Sequence, residues 1–176
     1  LVFGVLVQVV LGAYVVLTGL NPWSNMAHFL VSVILVSSAF VLMKRVDTLI
    51  SPIPGHICAD KSLRWCLIVI TSVVLFLGTV VTGAGPHSGS DAATRLEISV
   101  KHATQIHSIA VWLLVFVAVV MTFRARKSAS RWASEGPMML RLVAALCAQG
   151  FIGYVQYFAG VPAPLVAVHV LSLIHI

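Results

Sequence analysis

An all-α transmembrane bundle is the fold class this sequence predicts, and three observations predict it. Hydrophobic residues make up 60% of the 176-residue chain and charged residues only 9%, against about 25% charged in soluble domains. Mean hydropathy is +1.04. The apolar residues fall into six runs near the length of about 20 residues that a helix needs to cross the hydrocarbon core. Finally, basic residues concentrate in alternate connections between those runs, as they do in polytopic membrane proteins.

The first run is Leu1 to Thr18, closed by Gly19, Asn21 and Pro22, a composition suited to a tight turn. Asn25 to Met43 follows and ends at the basic pair Lys44 and Arg45. Arg64 to Thr82 opens after a Pro-containing linker, and Ala103 to Phe123 runs from a polar stretch into Arg124. Met138 to Phe158 and Pro164 to the end are separated by Ala159 to Ala163, which holds Gly160 and Pro162. The chain starts without Met, so both ends are expected to be truncations and no signal peptide is legible. The tail Leu171 to Ile176 translates from CTGTCTCTTATACACATC, a transposon-end adapter used in sequencing libraries. Natural sequence is therefore expected to stop near Val170, and His175 to carry no functional weight.

Lys44, Arg45, Lys61 and Arg64 flank one connection, and Arg124, Arg126, Lys127, Arg131 and Arg141 flank another. These nine of the eleven Lys and Arg residues place loops 44–63 and 124–137 in the cytoplasm. Loop 83–102, with only Arg95 and Lys101, is placed outside. The net charge of +6 is thus a topology signal rather than a nucleic-acid footprint. Cys58, Cys66 and Cys147 lie by inner loops or in a span and are expected to stay reduced. No CxxCH occurs, which leaves covalent c-type heme attachment without support.

The chain also repeats. Gln8, Gly12, Gly19 and His28 recur as Gln149, Gly153, Gly160 and His169, all at an offset of 141 residues, with Pro22 and Pro162 one place out of register. Both copies run outward and then back, so the repeat is parallel. If the last helix pair mirrors the first, the third and fourth helices should mirror a pair upstream of Leu1. The full protein is then expected to have eight helices in two homologous four-helix halves. Residues 1–43 would be the second pair of the N-terminal half, 44–63 a linker and 64–176 the C-terminal half.

His28, His107 and His169 sit a few residues inside the outer ends of the three helices that run inward. Polar side chains at that depth are costly and are functional by default. Neutral His is a common metal ligand, and bis-His ligation of heme between bundle helices is an established use. A lone membrane His can instead simply bond a neighbouring carbonyl. Three at equal depth, two of them in repeated sequence, weigh against that. No nearby intramembrane Cys, Asp or Glu offers the ligands a zinc or di-iron site wants. His102 lies about 140° around the helix from His107, so both cannot face one cofactor, and the deeper His107 is preferred. His87 reads as a loop residue outside and His56 as one inside. Gly12, Gly78, Gly150 and Gly153 permit close helix approach, while Gln8 and Gln149 are expected to bond across helices. Thr82 to Gly89 is rich in glycine but lacks the Gly-Lys-Ser/Thr ending of a phosphate loop.

Three segments together resemble heme A synthase of the bacterial type. They are Val16-Leu17-Thr18-Gly19-Leu20-Asn21-Pro22-Trp23 with Ala27-His28-Phe29, then Thr82-Gly83-Ala84-Gly85-Pro86-His87-Ser88-Gly89, and Gly153-Tyr154-Val155-Gln156-Tyr157-Phe158 with Gly160, Pro162 and His169. The resemblance covers Leu1 to about Val170. It implies an inner (plasma) membrane enzyme that oxidises the position-eight methyl group of heme O to a formyl group through an alcohol, making heme A for terminal oxidases. It implies that His107 and His169 ligate a resident heme b, and that His28 is the second histidine of the pair binding the substrate heme. Partners so implied are heme O, a heme O synthase that delivers it, membrane lipid and further copies of the chain.

The family's first N-terminal histidine and its catalytic Glu belong to a helix upstream of Leu1, so the fragment alone is expected to be inactive. The paired outer cysteines of many members have no counterpart in Gly83 to His102. Arg95 and Lys101, the basic residues of the outer side, are candidates to neutralise heme propionates, against the alternative of ordinary solvated charges. Two other functions stay open: a membrane di-heme b-type cytochrome exchanging electrons with quinone, and a transporter relaying protons through its histidines.

Overall fold

The computed structural model describes residues 1–50, 60–87 and 92–175, the side chains of 173–175 excepted. Each apolar run forms a helix: α1 Val2–Leu17, α2 Pro22–Ile50, α3 Lys61–Ala84, α4 Val100–Arg126, α5 Ala129–Phe158 and α6 Ala163–His175. Among the described residues there is no strand, and the protein is an all-α helical bundle. Helices α2 to α5 are long and apolar enough to cross a membrane, whereas α1 and α6 are shorter apolar helices.

Helices α2 to α5 all outrun their apolar segments, α2 and α5 by the most, which corrects the expected connections. α2 continues through Lys44 and Arg45 to Ile50, supported by Lys44 on Asp47 at 3.5 Å one turn later. α5 starts at Ala129, so most of the expected loop 124–137 is helix and only Lys127 and Ser128 separate α4 from α5. Hydropathy marks where a helix enters lipid, but backbone hydrogen bonding continues wherever nothing breaks it. Even Pro137, which removes one backbone donor, lies inside α5.

The turns closing α1 and α5 are geometric copies. After α1, Gly19 N–H bonds Val16 O at 3.1 Å and Leu20 N–H bonds Val15 O at 2.9 Å. After α5, Gly160 N–H bonds Tyr157 O at 3.2 Å and Val161 N–H bonds Gln156 O at 2.8 Å. Every donor and acceptor moves by the same 141 residues as the sequence repeat. Both turns place two successive residues in the left-handed region: Gly19 (φ 64°) with Leu20 (φ 61°), and Gly160 (φ 80°) with Val161 (φ 58°). Glycine takes that conformation freely. Leu and β-branched Val do so at a cost of about 1–2 kcal/mol each.

The chain divides into two compact units, and α3 and α4 contribute to both. The first comprises Leu1–Ile57 and Leu75–Thr104. Here Met26, Ala84 and Leu96 form a core flanked by Val80 and Val100, and the α3–α4 connection is pinned by Leu96 N–H on Gly83 O at 3.0 Å. The second comprises Cys58–Val74 and Gln105–Ile176, with a core of Val117, Met121 and Met139 against Leu63, Leu67 and Ile70. Its basic end is tied by Asp60, which lies 3.3 Å from Arg124 Nε and 3.8 Å from Arg131 Nη1. These half-exposed pairs contribute about 1 kcal/mol or less each.

Most apolar side chains face outward; Leu17 is 85% and Phe158 80% exposed. A surface this apolar fits lipid, not water, and the protein is a membrane protein. Its hydroxyls are satisfied internally, as hydrocarbon requires. Ser38, Thr71, Ser72 and Thr122 each donate to the carbonyl four residues earlier.

Candidate functional site

In the first unit, Gln8 of α1 donates from Nε2 to His28 O at 3.0 Å and to Ser32 Oγ, while Ser32 donates to the same His28 carbonyl at 2.9 Å. The imidazole of His28 lies over Gly12, where a Cβ would come within 3.3 Å of Cε1. Only a glycine one turn beyond Gln8 leaves that space.

The second unit repeats the arrangement. A Cβ at Gly153 would come within 3.2 Å of His169 Cε1, and the Gln149 backbone lies beside the same imidazole. Gln149 donates to Ser172 at 2.8 Å, but that serine belongs to the tail and sits one place out of register with Ser32. The repeat therefore rests on the glycine and the histidine. Opposite stands His107 of α4, close enough to His169 for their imidazoles to interact electrostatically, with the Val74 backbone of α3 beside it. The sequence reading passed over Val74. It precedes Gly78 by four residues, the spacing of Gln8 to Gly12 and Gln149 to Gly153, but no side-chain identity marks it.

His28, His107 and His169 share one property. The Nδ1 of each is buried without a hydrogen-bond partner among the described residues. A buried imidazole nitrogen left unpaired costs about 1–3 kcal/mol, and the same deficit at three corresponding places calls for a common explanation. An iron held at Nε2 would still leave each Nδ1 to a further polar partner, and the buried Oε1 atoms of Gln8, Gln149 and Gln156 stand in the same state. Among the described residues no three of His, Cys, Asp and Glu come together. The donor set of the second unit is thus two imidazoles without a third His, Cys, Asp or Glu ligand among the described residues, which suits an iron whose other positions would be filled by a porphyrin. Gly12 and Gly153 leave room for the Cε1 edges of His28 and His169 to approach the facing helix.

The remaining candidates lie elsewhere. His102 is exposed on the first turn of α4. Lys101 is exposed as well. Arg95 donates from Nη2 to Pro86 O at 3.1 Å, so it staples the α3–α4 connection of its unit. His87 is exposed and engaged in an interaction. Cys66 and Cys147 are free thiols. His56 and Cys58 fall outside the described residues.

One cluster went unread in the sequence. Tyr154 Oη lies 2.7 Å from Ser108 Oγ and accepts a hydrogen bond from Trp112 Nε1 at 2.9 Å. The 108/112 spacing puts Ser and Trp on one helix face, which was a usable signal. Their meeting with Tyr154 is tertiary.

No protein-family profile, no curated protein and no solved structure matches the chain.

Proposed function

We propose that the chain is part of a heme A synthase, the enzyme that oxidises the methyl group at ring position eight of heme O to a formyl group. The observation that carries this reading is that His107 and His169 of one unit lie within electrostatic reach of each other, each with an Nδ1 unpartnered among the described residues, together with the same Gly-backed imidazole at His28. His107 and His169 would hold heme b, and His28 would be an axial ligand to the substrate heme O. A bound heme b supplies one-electron redox chemistry. The chain's own part is to hold the imidazoles. Gly153 and Gly12 let the His169 and His28 rings lie against their helices, Gln8 fixes the backbone of His28, and the apolar bundle excludes water. Arg95 and Lys101 are the cations offered to propionates. We place the protein in the inner membrane with the Arg-rich ends of α4 and α5 in the cytoplasm, following the positive-inside rule.

A second reading is a di-heme b-type cytochrome. It is favoured by the same donor set, since two imidazoles with no described carboxylate beside them serve electron transfer as well as oxidation chemistry. Pigment extraction from membranes carrying the protein with its upstream residues distinguishes them. Heme A or hydroxylated heme O supports the synthase. Heme b alone supports the cytochrome, and no heme overturns both in favour of a proton-relaying transporter.

A further inference from the structure

Side-chain hydrogen bonds tie α4 to α5. In the second unit, the hydrogen bonds from α5 to α4 near the histidines end on one atom, Tyr154 Oη, which meets Ser108 and Trp112. Ser108 directly follows His107, and Tyr154 directly follows Gly153, the glycine under His169. One phenol therefore joins the neighbour of one imidazole to the neighbour of the other's backing. Its ring is also fixed along α5 by stacking on Phe158, at 6.3 Å between centroids and 17° between planes. The cluster faces outward, with Tyr154 43% exposed. In lipid that exposure strengthens the bonds, because no water competes for the three polar groups and each must find its partner in the protein.

We infer that Tyr154 is a positioning residue for the His107 and His169 pair: its hydroxyl sets the spacing of α4 from α5 and so the separation of the two imidazoles. This rests on the reading of that pair as heme ligands. Loss of the hydroxyl leaves Ser108 and Trp112 unpaired toward lipid and frees α4 to shift. Ligand geometry tolerates displacements of only about 0.5 Å.

The test uses the whole 176-residue chain loaded with heme b. Iron held by two imidazoles has no open position, so the ferrous wild-type chain should not react with carbon monoxide. Tyr154→Phe keeps the ring and its stack while removing both hydrogen bonds. It should produce a CO-shifted Soret band and a high-spin ferric signal absent from the wild type. Ser108→Ala and Trp112→Phe each remove one bond and should give smaller CO-reactive fractions. They carry the same readout if Tyr154→Phe does not fold. The double variant Tyr154→Phe/Ser108→Ala should be no worse than Tyr154→Phe, since the residues act as one unit. A residue that only stabilised the fold would lower the yield and leave the loaded spectrum unchanged. Variants as inert to CO as the wild type overturn the proposal. His107→Ala and His169→Ala serve as references. If neither alters the wild-type spectrum, the ligand assignment fails and the clamp falls with it, a result distinct from inert Tyr154 variants beside CO-reactive histidine variants.

Discussion

Gly153→Ala adds a methyl group 3.2 Å from His169 Cε1, 3.7 Å from Nδ1 and 3.8 Å from Nε2. Ordinary carbon contacts lie at about 3.5–4.0 Å, so the ring must retreat by a few tenths of an ångström. Two effects oppose each other in the fold. Alanine is favoured over glycine in a helix interior by about 0.8–1 kcal/mol, and overpacking costs about 1–3 kcal/mol. Net stability should therefore range from nearly unchanged to about 2 kcal/mol lower. Heme binding has no such compensation. If the overpacking strain falls on the ligand, affinity drops roughly 5- to 150-fold. Gly150, on the same helix, supplies the control, because a Cβ there meets nothing within 4 Å. Gly150→Ala should gain the helix term and bind heme as the wild type does. The assay is heme b titration followed by the Soret band, beside thermal unfolding in detergent. Equal heme affinity in the two variants would refute the role assigned to Gly153. Gly12→Ala, 3.3 Å from His28 Cε1, should act likewise on binding of the substrate heme by the full protein.

His107→Ala should abolish the reduced low-spin band of the second unit and His102→Ala should leave it intact; the opposite result in difference spectra would move the ligand to His102. Val161→Gly should raise the thermal unfolding midpoint, since it relieves a β-branched residue at φ 58°, a gain of about 1 kcal/mol after allowing for the freer unfolded chain. Leu20→Gly should do the same at the matching turn, and an unchanged midpoint in both would show that the turns are not strained. Replacing both Arg95 and Lys101 by Gln should shift the heme midpoint potential in a redox titration; an unmoved potential would leave Arg95 with its role on the Pro86 carbonyl alone.

The six helices and their order follow from composition and hydropathy, because apolar runs of span length have no other stable state in lipid than a helix. The repeat was legible too, and the structure returns it bond for bond in the turns after α1 and α5, since Gly19 and Gly160 permit the left-handed step there. The histidines could be singled out by depth alone, a polar group in hydrocarbon being conspicuous wherever it stands. Helix ends were less legible: α5 begins well before its apolar run, because charge marks the membrane surface and not the end of hydrogen bonding. Leu20 and Val161 in left-handed conformation could not be read, since only glycine advertises it. What the tertiary structure alone decided is which residues meet. It brought His107 within electrostatic reach of His169, put a glycine behind the rings of His28 and His169, laid the Val74 backbone beside His107, and joined Tyr154 to Ser108 and Trp112. Helical periodicity fixes which residues share a face of one helix. Which faces come together depends on packing among helices whose outer surfaces are almost uniformly apolar, and a uniform surface carries no directional signal.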